Sequence, residues 1–284
     1  MNITAVVVTR DRPRLLEQTL DALAAQSSPL TSVIVVDNAS GDETRRVLAR
    51  RADVVVHRLE ENTGGAGGFA TGVNLSLGSN ADWIWLLDDD AVPRVDALER
   101  LVDVLPRAGA KVGAVCSAVH EFGALALMHR RYFDPSTLRE PIIPPSEYDN
   151  QLVKIDTGSF VGFLLNAEAA KAVGLPNRHF FLAYDDTEYS LRLGAAGWSI
   201  WLAPISAIDH CRTVEGRMRR GPFGPKHYYN LRNQLAVFRR YGHAPSWRLW
   251  IPIAKFGALA VRDHRVESVR LWWRAVRDSH MNVL

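Results

Sequence analysis

Residues 83–90 read Trp-Ile-Trp-Leu-Leu-Asp-Asp-Asp. The apolar run Trp83–Leu87 is short, aromatic and uninterrupted by polar residues, which predicts a strand covered on both faces. Three carboxylates follow it at once. In an open parallel sheet, ligands bind outside the carboxyl ends of the strands. Three adjacent carboxylates repel one another and need a cation or solvent nearby. Asp88 and Asp90 fall on the same side if the strand geometry persists. A hard divalent cation, shared between one or two carboxylates and substrate phosphates, fits that pattern. A solvated acidic turn is the plainer reading of the same residues.

Working outward, strand and helix signals alternate. Ile3–Thr9 is a β-branched strand, and Pro13 opens a helix with Leu15, Leu16, Leu20 and Leu23 on one face. Ser32–Val36 predicts a second strand ending at Asp37, Asp42–Arg51 a helix, and Val54–Val56 a third strand. Further on, Val112–Ser117 predicts a strand and Lys154–Leu165 a strand and turn. Glu168–Val173 and Asp185–Ala196 predict helices, the latter closed by Gly197. Trp198–Ala203 predicts another strand. The proline-rich stretch 134–148 reads as a loop. Alternation of this kind predicts an α/β fold, a Rossmann-like mostly parallel sheet flanked by helices.

Composition limits the function classes. The chain has 284 residues, 47% hydrophobic and 23% charged, as expected of a soluble globular core. Two cysteines, Cys116 and Cys211, are too few for a disulfide framework and fit a reducing compartment. The opening MNITAVVVTRDRP has no basic region followed by an apolar one, so no signal peptide is expected. No apolar run is long enough for a membrane span. Net charge is +3, yet residues 211–284 hold 15 basic against 4 acidic residues, net +11, leaving the first 210 residues at net −8. That last quarter is expected to face an anion. Four of the eight tryptophans lie there, Trp247, Trp250, Trp272 and Trp273, interleaved with arginine. Two readings stand side by side: a membrane–water interface, or a helical appendage packing its tryptophans on the main domain. The expected division is 1–240 for the main domain and 241–284 for a basic, tryptophan-rich helical extension.

Other constellations join the acidic run. Asn62–Phe69 (NTGGAGGF) has four glycines in five residues at the start of a helix, where backbone N–H groups can approach a nucleotide sugar closely. Gly65, Gly67 and Ala70 also spell G-x-G-x-x-A, which opens a nicotinamide-dependent oxidoreductase reading. Against it, Leu59–Thr63 separates the glycines from their strand. Tyr184–Glu188 (YDDTE) opens a helix. Its acids can cap that helix, or one can act as a general base on a sugar hydroxyl. Asp209-His210 follows a predicted strand, and His210 is either a structural histidine or a third ligand beside the aspartates. Thr9-Arg10 and Asp37-Asn38 place further polar groups at strand ends: Arg10 to meet a phosphate, Asp37 to accept from a base or ribose.

With VVVTR, VVDNAS, NTGGAGGF, WLLDDD, YDDTEYSLRLGAAGW and DHC in this order over residues 3–240, the chain resembles family 2 glycosyltransferases of the GT-A fold. NTGGAGGF, LLDDD and YYNLRN (Tyr228–Asn233) look most like bacterial galactofuranosyltransferases of the initiating type, which act on a polyprenyl-linked glycan. The resemblance implies that Thr9, Arg10, Asp37, Asn62, Gly65 and the carboxylates Asp88 and Asp89 hold the nucleotide. It implies that Asp88, Asp90 and His210 bind Mn2+ or Mg2+. Asp186 becomes the catalytic base, with Asp185 and Glu188 arranging the acceptor. The implied donor is UDP-galactofuranose, with dTDP-rhamnose the alternative through related rhamnosyltransferases, and the implied acceptor is a glycan or polyprenyl-linked glycan in cell-envelope polysaccharide synthesis. No nucleic-acid partner is implied, and the implied location is cytoplasmic, at the inner face of the membrane.

These parts predict an inverting single displacement, with the basic segment Arg212–Arg220 as a lid over the departing diphosphate. Two other classes remain open at this stage: the oxidoreductase, and a non-catalytic nucleotide-binding module that has no need of Asp186.

Overall fold

The computed structural model describes residues 1–211 and 222–280. The segment read as a lid, Arg212–Arg220, lies outside the described residues.

Twelve strands and nine helices are described. The first half runs β1 (Ile3–Thr9), α1 (Pro13–Ala24), β2 (Ser32–Asp37), α2 (Asp42–Leu48), β3 (Val55–Arg58), α3 (Gly64–Gly78), β4 (Trp83–Asp88), β5 (Ala91–Pro93) and α4 (Ala97–Val104). Then follow β6 (Val112–Glu121), β7 (Ala124–Leu125), β8 (Arg130–Arg131), β9 (Val153–Ile155), β10 (Thr157–Gly158), β11 (Phe163–Asn166), α5 (Ala167–Val173), α6 (Asp185–Ala195) and β12 (Ser199–His210). The chain closes on α7 (Pro225–Tyr241), α8 (Trp250–Arg262) and α9 (Val266–Asp278).

The main sheet is ordered β3-β2-β1-β4-β11-β6-β12-β5, with β7 on β6 and β9 on β12. Strands β3, β2, β1 and β4 are parallel. β11 is antiparallel to both β4 and β6, and β6 is parallel to β12. Two reversals restore the direction, so β1, β2, β4 and β12 all end at one edge. That edge carries the polar residues at 9, 37, 88 and 210.

Both faces are covered, as apolar strands require. On one side Leu16, Leu20 and Leu23 of α1 join Leu98 and Leu101 of α4 over Val7, Trp85 and Val115. On the other, Phe69 and Val73 of α3 join Ala169 of α5 and Tyr189 and Leu193 of α6 over Val6, Leu86 and Phe163. Each such side chain contributes about 1.5–3 kcal/mol when withdrawn from water. Leu15 is only half-buried.

The glycine cluster stands at a helix start as expected, and forms the first turns of α3. A Cβ on Gly68 or Gly72 would stand 2.4 or 2.2 Å from the Cγ1 of Val8 or Val6, so these residues let α3 lie close against β1. Several expectations are corrected. The strand read as Trp198–Ala203 continues to His210. A bulge between Ala203 and Ala207 allows this. The Ser206 hydroxyl anchors it at 2.8 Å from both the Ser117 hydroxyl and the Ala97 carbonyl. Strand β6 likewise runs four residues past Ser117 to Glu121, and α2 ends three residues early, at Leu48.

Helices α7, α8 and α9 share one core of Phe223, Tyr228, Leu231, Leu235, Ile253, Phe256, Ala260 and Ala275. Of the four tail tryptophans, Trp272 packs inward and donates from Nε1 to the Ile253 carbonyl at 3.0 Å. Trp247, Trp250 and Trp273 are exposed. Among the described residues no helix is long and apolar enough to cross a membrane.

Candidate active site

The acidic run after β4 sorts its three carboxylates by direction. Asp89 turns back under β1 and is 4% exposed. It accepts from the Thr9 hydroxyl at 2.8 Å, the Arg10 amide at 3.3 Å and Arg12 Nη1 at 3.1 Å. Thr9 and Asp89, both expected at the nucleotide, therefore meet each other. Asp90 accepts from Arg12 Nη1 at 2.7 Å and from His210 Nε2 at 3.1 Å. Arg12 thus bridges two of the acids. It goes unnoticed in the sequence because its partners lie about 77 positions away.

His210 reaches Asp90 through sheet register. It pairs with Ala91 on β5, the residue after Asp90, and the next residue, Cys211, donates its amide to the Asp90 carbonyl at 2.7 Å. One ligand atom from each of Asp88, Asp90 and His210 lies within 4.8 Å of the others. Burial, then repulsion from Asp90, pushes the Asp88 carboxyl up to about 7, with His210 opposing. For Asp90, the His210 hydrogen bond and charge outweigh burial and hold it below its ordinary value. The partner effect is reciprocal: the Asp90 hydrogen bond and the Asp90 and Asp88 charges overcome the burial of His210 and raise it. Two carboxylates and an imidazole so disposed match a cation that takes oxygen together with nitrogen, as manganese does more readily than magnesium.

Behind His210 lie two residues the sequence did not single out. Glu121 Oε1 is 2.9 Å from His210 Nδ1 and 3.1 Å from His129 Nε2. Burial, against the Glu121 hydrogen bond, lowers His129 to about 4. Both residues fall after Ser117, where the predicted strand stopped.

The other strand ends hold their own loops. Asp37 is buried, ion-paired to Arg58, and accepts the Ser40 amide at 2.9 Å. Asn38 accepts the Thr63 amide and donates to the Gly64 carbonyl, both at 2.9 Å, while Asn62 Oδ1 accepts the Gly64 amide at 3.0 Å. Of the cluster, Gly65 alone faces open space: Gly64 has φ +71° and sits against the Phe181 carbonyl, and Gly67 abuts Thr63. Arg10 is exposed, 3.6 Å from Asp11.

The acids of α6 come next. Phe181, Ala183 and Tyr184 all have positive φ, at 63°, 65° and 64°, a strained approach for residues with side chains. Asp185 is buried, and its carboxyl is raised well above the ordinary range by desolvation, then by Asp186 and Asp88. Asp186 is also raised by desolvation, with Arg131 opposing. Its Oδ1 accepts the Thr187 amide at 2.6 Å. Glu188 is engaged elsewhere: it accepts from Tyr241 at 2.7 Å and Arg192 at 2.8 Å, tying α6 to α7. The structure therefore brings Asp88, Asp90 and His210 together, with Asp185 close enough to feel Asp88. It does not bring Glu188 into that group.

The arrangement, a Rossmann-like sheet with an acidic cluster at its carboxyl edge and a second acidic pair at a helix start, is that of the GT-A glycosyltransferases. The chain belongs to glycosyl transferase family 2, whose family model matches residues 4–174, and it is a glycosyltransferase. The oxidoreductase reading of Gly65, Gly67 and Ala70 falls with that assignment. Over 85% of this chain and 83% of the relative, it is 30% identical to galactofuranosyltransferase GlfT1 of Mycobacterium tuberculosis. It is 26% identical to N-acetylglucosaminyl-diphospho-decaprenol L-rhamnosyltransferase of the same organism, over 92% of each chain. Among solved structures, GalNAc-T7 with UDP, GalNAc and Mn2+ superposes with TM-score 0.69 at 14% identity, covering 97% of this chain and 54% of that one. The mannosyltransferase PcManGT of Pyrobaculum calidifontis, with GDP-Man and Mn2+, gives 0.60 at 19% identity, covering 99% and 75%.

Proposed function

We propose that this glycosyltransferase is metal-dependent and inverting, and that it moves galactofuranose from UDP-galactofuranose to a polyprenyl-linked glycan. The observation that carries the reading is the convergence of Asp88, Asp90 and His210 at the sheet edge, with Asp185 at the start of α6 within electrostatic reach of Asp88. The names of the relatives support the donor and the lipid-linked acceptor. The rhamnosyltransferase likeness keeps dTDP-rhamnose as the second donor.

In this mechanism Asp88, Asp90 and His210 hold Mn2+ or, less suitably, Mg2+. The bound cation supplies charge stabilisation for the diphosphate leaving group. Thr9, Arg10, Asp37, Asn62 and Gly65 border the nucleotide, with Asp89 fixing the Thr9–Arg12 turn. Asp186 takes the proton of the acceptor hydroxyl as its oxygen forms a bond to the anomeric carbon. The bond from that carbon to the phosphate oxygen breaks on the opposite face, and its electron pair leaves with the diphosphate. Configuration at the carbon inverts. Desolvation keeps Asp186 more basic than a surface carboxylate, while Arg131 limits that rise. Asp185, buried and raised by desolvation and then by the Asp186 charge, arranges the acceptor.

The exposed Trp247, Trp250 and Trp273, set among Arg248, Arg270, Arg274 and Arg277, suit the headgroup layer of an anionic membrane where a polyprenyl acceptor resides. The test of function is a panel of nucleotide sugars with Mn2+, read as thermal stabilisation and product formation. A selective response to UDP-galactofuranose is expected. A response to dTDP-rhamnose alone moves the donor to the alternative, and no dependence on metal with any donor overturns the mechanism.

A further inference from the structure

Behind His210, Glu121 and His129 form a second group whose spacing admits either another cation or a hydrogen-bonded support. Arg130 decides between them. Its guanidinium is fully buried, and its described partners are the carbonyls of Ser117, His129, Ser159 and Val161 and the Ser159 hydroxyl. None of these carries a negative charge. A second cation at Glu121–His129 would stand beside that buried positive charge at low local dielectric, where repulsion is strong.

Hydrogen-bond accounting then fixes each proton. Glu121 Oε1, a carboxylate oxygen, can only accept. His210 Nδ1 therefore donates to it at 2.9 Å and His129 Nε2 donates to it at 3.1 Å. Enclosed beside Arg130, the His129 ring stays neutral, so its Nδ1 accepts from the Ser159 hydroxyl at 2.8 Å. The Ser159 oxygen accepts in turn from Arg130 Nη1 at 3.1 Å. The chain runs Arg130, Ser159, His129, Glu121, His210. At its end His210 donates from Nδ1 to Glu121 and, by the same accounting, from Nε2 to Asp90 at 3.1 Å; a cation at the aspartates would displace the Nε2 proton and leave Nδ1–H on Glu121.

We propose that Glu121, held by His129 and Ser159, is a positioning residue that fixes the ring orientation and tautomer of His210 and so sets the affinity of the Asp88–Asp90–His210 cluster for its divalent cation. This rests on the metal site proposed above. Outer partners of this kind are typically worth about 10–100-fold in metal affinity.

Calorimetric titration of Mn2+ into the full chain tests it, with Glu121→Gln, Ser159→Ala and Asp90→Asn alongside. Glu121→Gln is expected to bind Mn2+ about 10–100-fold more weakly, Ser159→Ala to weaken binding less, and Asp90→Asn to abolish it. Proton spectra of the wild type loaded with Cd2+, a diamagnetic stand-in for Mn2+, are expected to show the His210 Nδ1 proton shifted far downfield by a hydrogen bond to the Glu121 carboxylate; a merely structural role for Glu121 would leave it at the ordinary imidazole position. Full affinity in Glu121→Gln, with Asp90→Asn inactive in binding, overturns the support while leaving the metal site in place. Absence of Mn2+ binding to the wild type overturns both. Should Glu121→Gln not fold, the wild-type spectra still decide, because an unshifted Nδ1 proton in the cation-loaded protein contradicts the proposal.

Discussion

Asn233 Nδ2 donates to the Ala183 carbonyl at 2.7 Å, which ties α7 to the turn that launches α6. The same amide reaches the carbonyls of Phe180 and Leu182 at 3.0 and 2.9 Å, and Asn233 is fully buried. Three residues of that turn hold positive φ, a conformation that survives only where its surroundings fix it. Asn233→Ala would take this donor from the Leu182 and Ala183 carbonyls, at about 1–3 kcal/mol per buried group left unpaired, while the Phe180 carbonyl keeps the Leu182 amide and Arg232 Nη2. We expect a lower melting temperature and a kcat reduced at least about tenfold, with Mn2+ affinity unchanged. Equal loss of metal binding would show that α7 acts on the whole site rather than on the α6 acids.

Asp186 must be unprotonated to accept a proton, and desolvation raises it above its ordinary carboxylate value. The sign follows: kcat/KM climbs with pH through that raised value and levels off above it. We expect the acid limb to lie above the surface-carboxylate range near pH 4. Asp186→Asn should cut kcat by about 100-fold or more, with donor binding retained. Asp185→Asn, which removes a neighbouring acid but not the base, should cost far less. The reverse ranking would move the base to Asp185.

The packing of α3 on β1 gives a stability prediction independent of function. A methyl group at Gly72 would stand 2.2 Å from Val6 Cγ1. Gly72→Ala should destabilise by about 1–3 kcal/mol through overpacking, read as a lower denaturant midpoint. Gly65→Ala, with nothing within 4 Å of its Cβ, should leave stability nearly unchanged.

His129 links pH to stability. Its folded value, about 4, lies below the ordinary 6.5, so the folded state resists protonation that the unfolded chain accepts. Its contribution is therefore intact above pH 6.5 and is lost as pH falls toward 4. Urea midpoints measured across that window should fall in the wild type and fall less in His129→Asn.

Membrane docking is best probed on the surface. Truncation at residue 241 would strip α8 and α9 from the core they share with Leu231 and Leu235, so loss of binding could follow from misfolding. Trp247→Ala, Trp250→Ala and Trp273→Ala change exposed positions. The triple variant should float less with phosphatidylglycerol vesicles than the wild type at equal melting temperature, and neither should float well with neutral ones. Identical flotation of both proteins on anionic vesicles would discard the membrane face.

The order of elements and the polar strand ends were legible in the sequence because each follows from local physics. An uninterrupted apolar run such as Ala5–Val8 or Trp83–Leu87 has to be buried on both faces, and the carboxylates after Leu87 must then emerge at an edge. What remained out of reach depended on register and on partners far apart in the chain. His210 meets Asp90 only because a bulge at Ala203–Ala207 carries β12 on to pair with β5. Arg12, Glu121 and Asn233 act through residues roughly 50 to 90 positions away, and no periodicity records such pairings. The glycines show the same division: a single chain reveals that side chains are missing at 64, 67 and 68, but whether a ligand or a neighbouring strand fills the space is decided by packing, which here sets Val8, Thr63 and Phe181 against them.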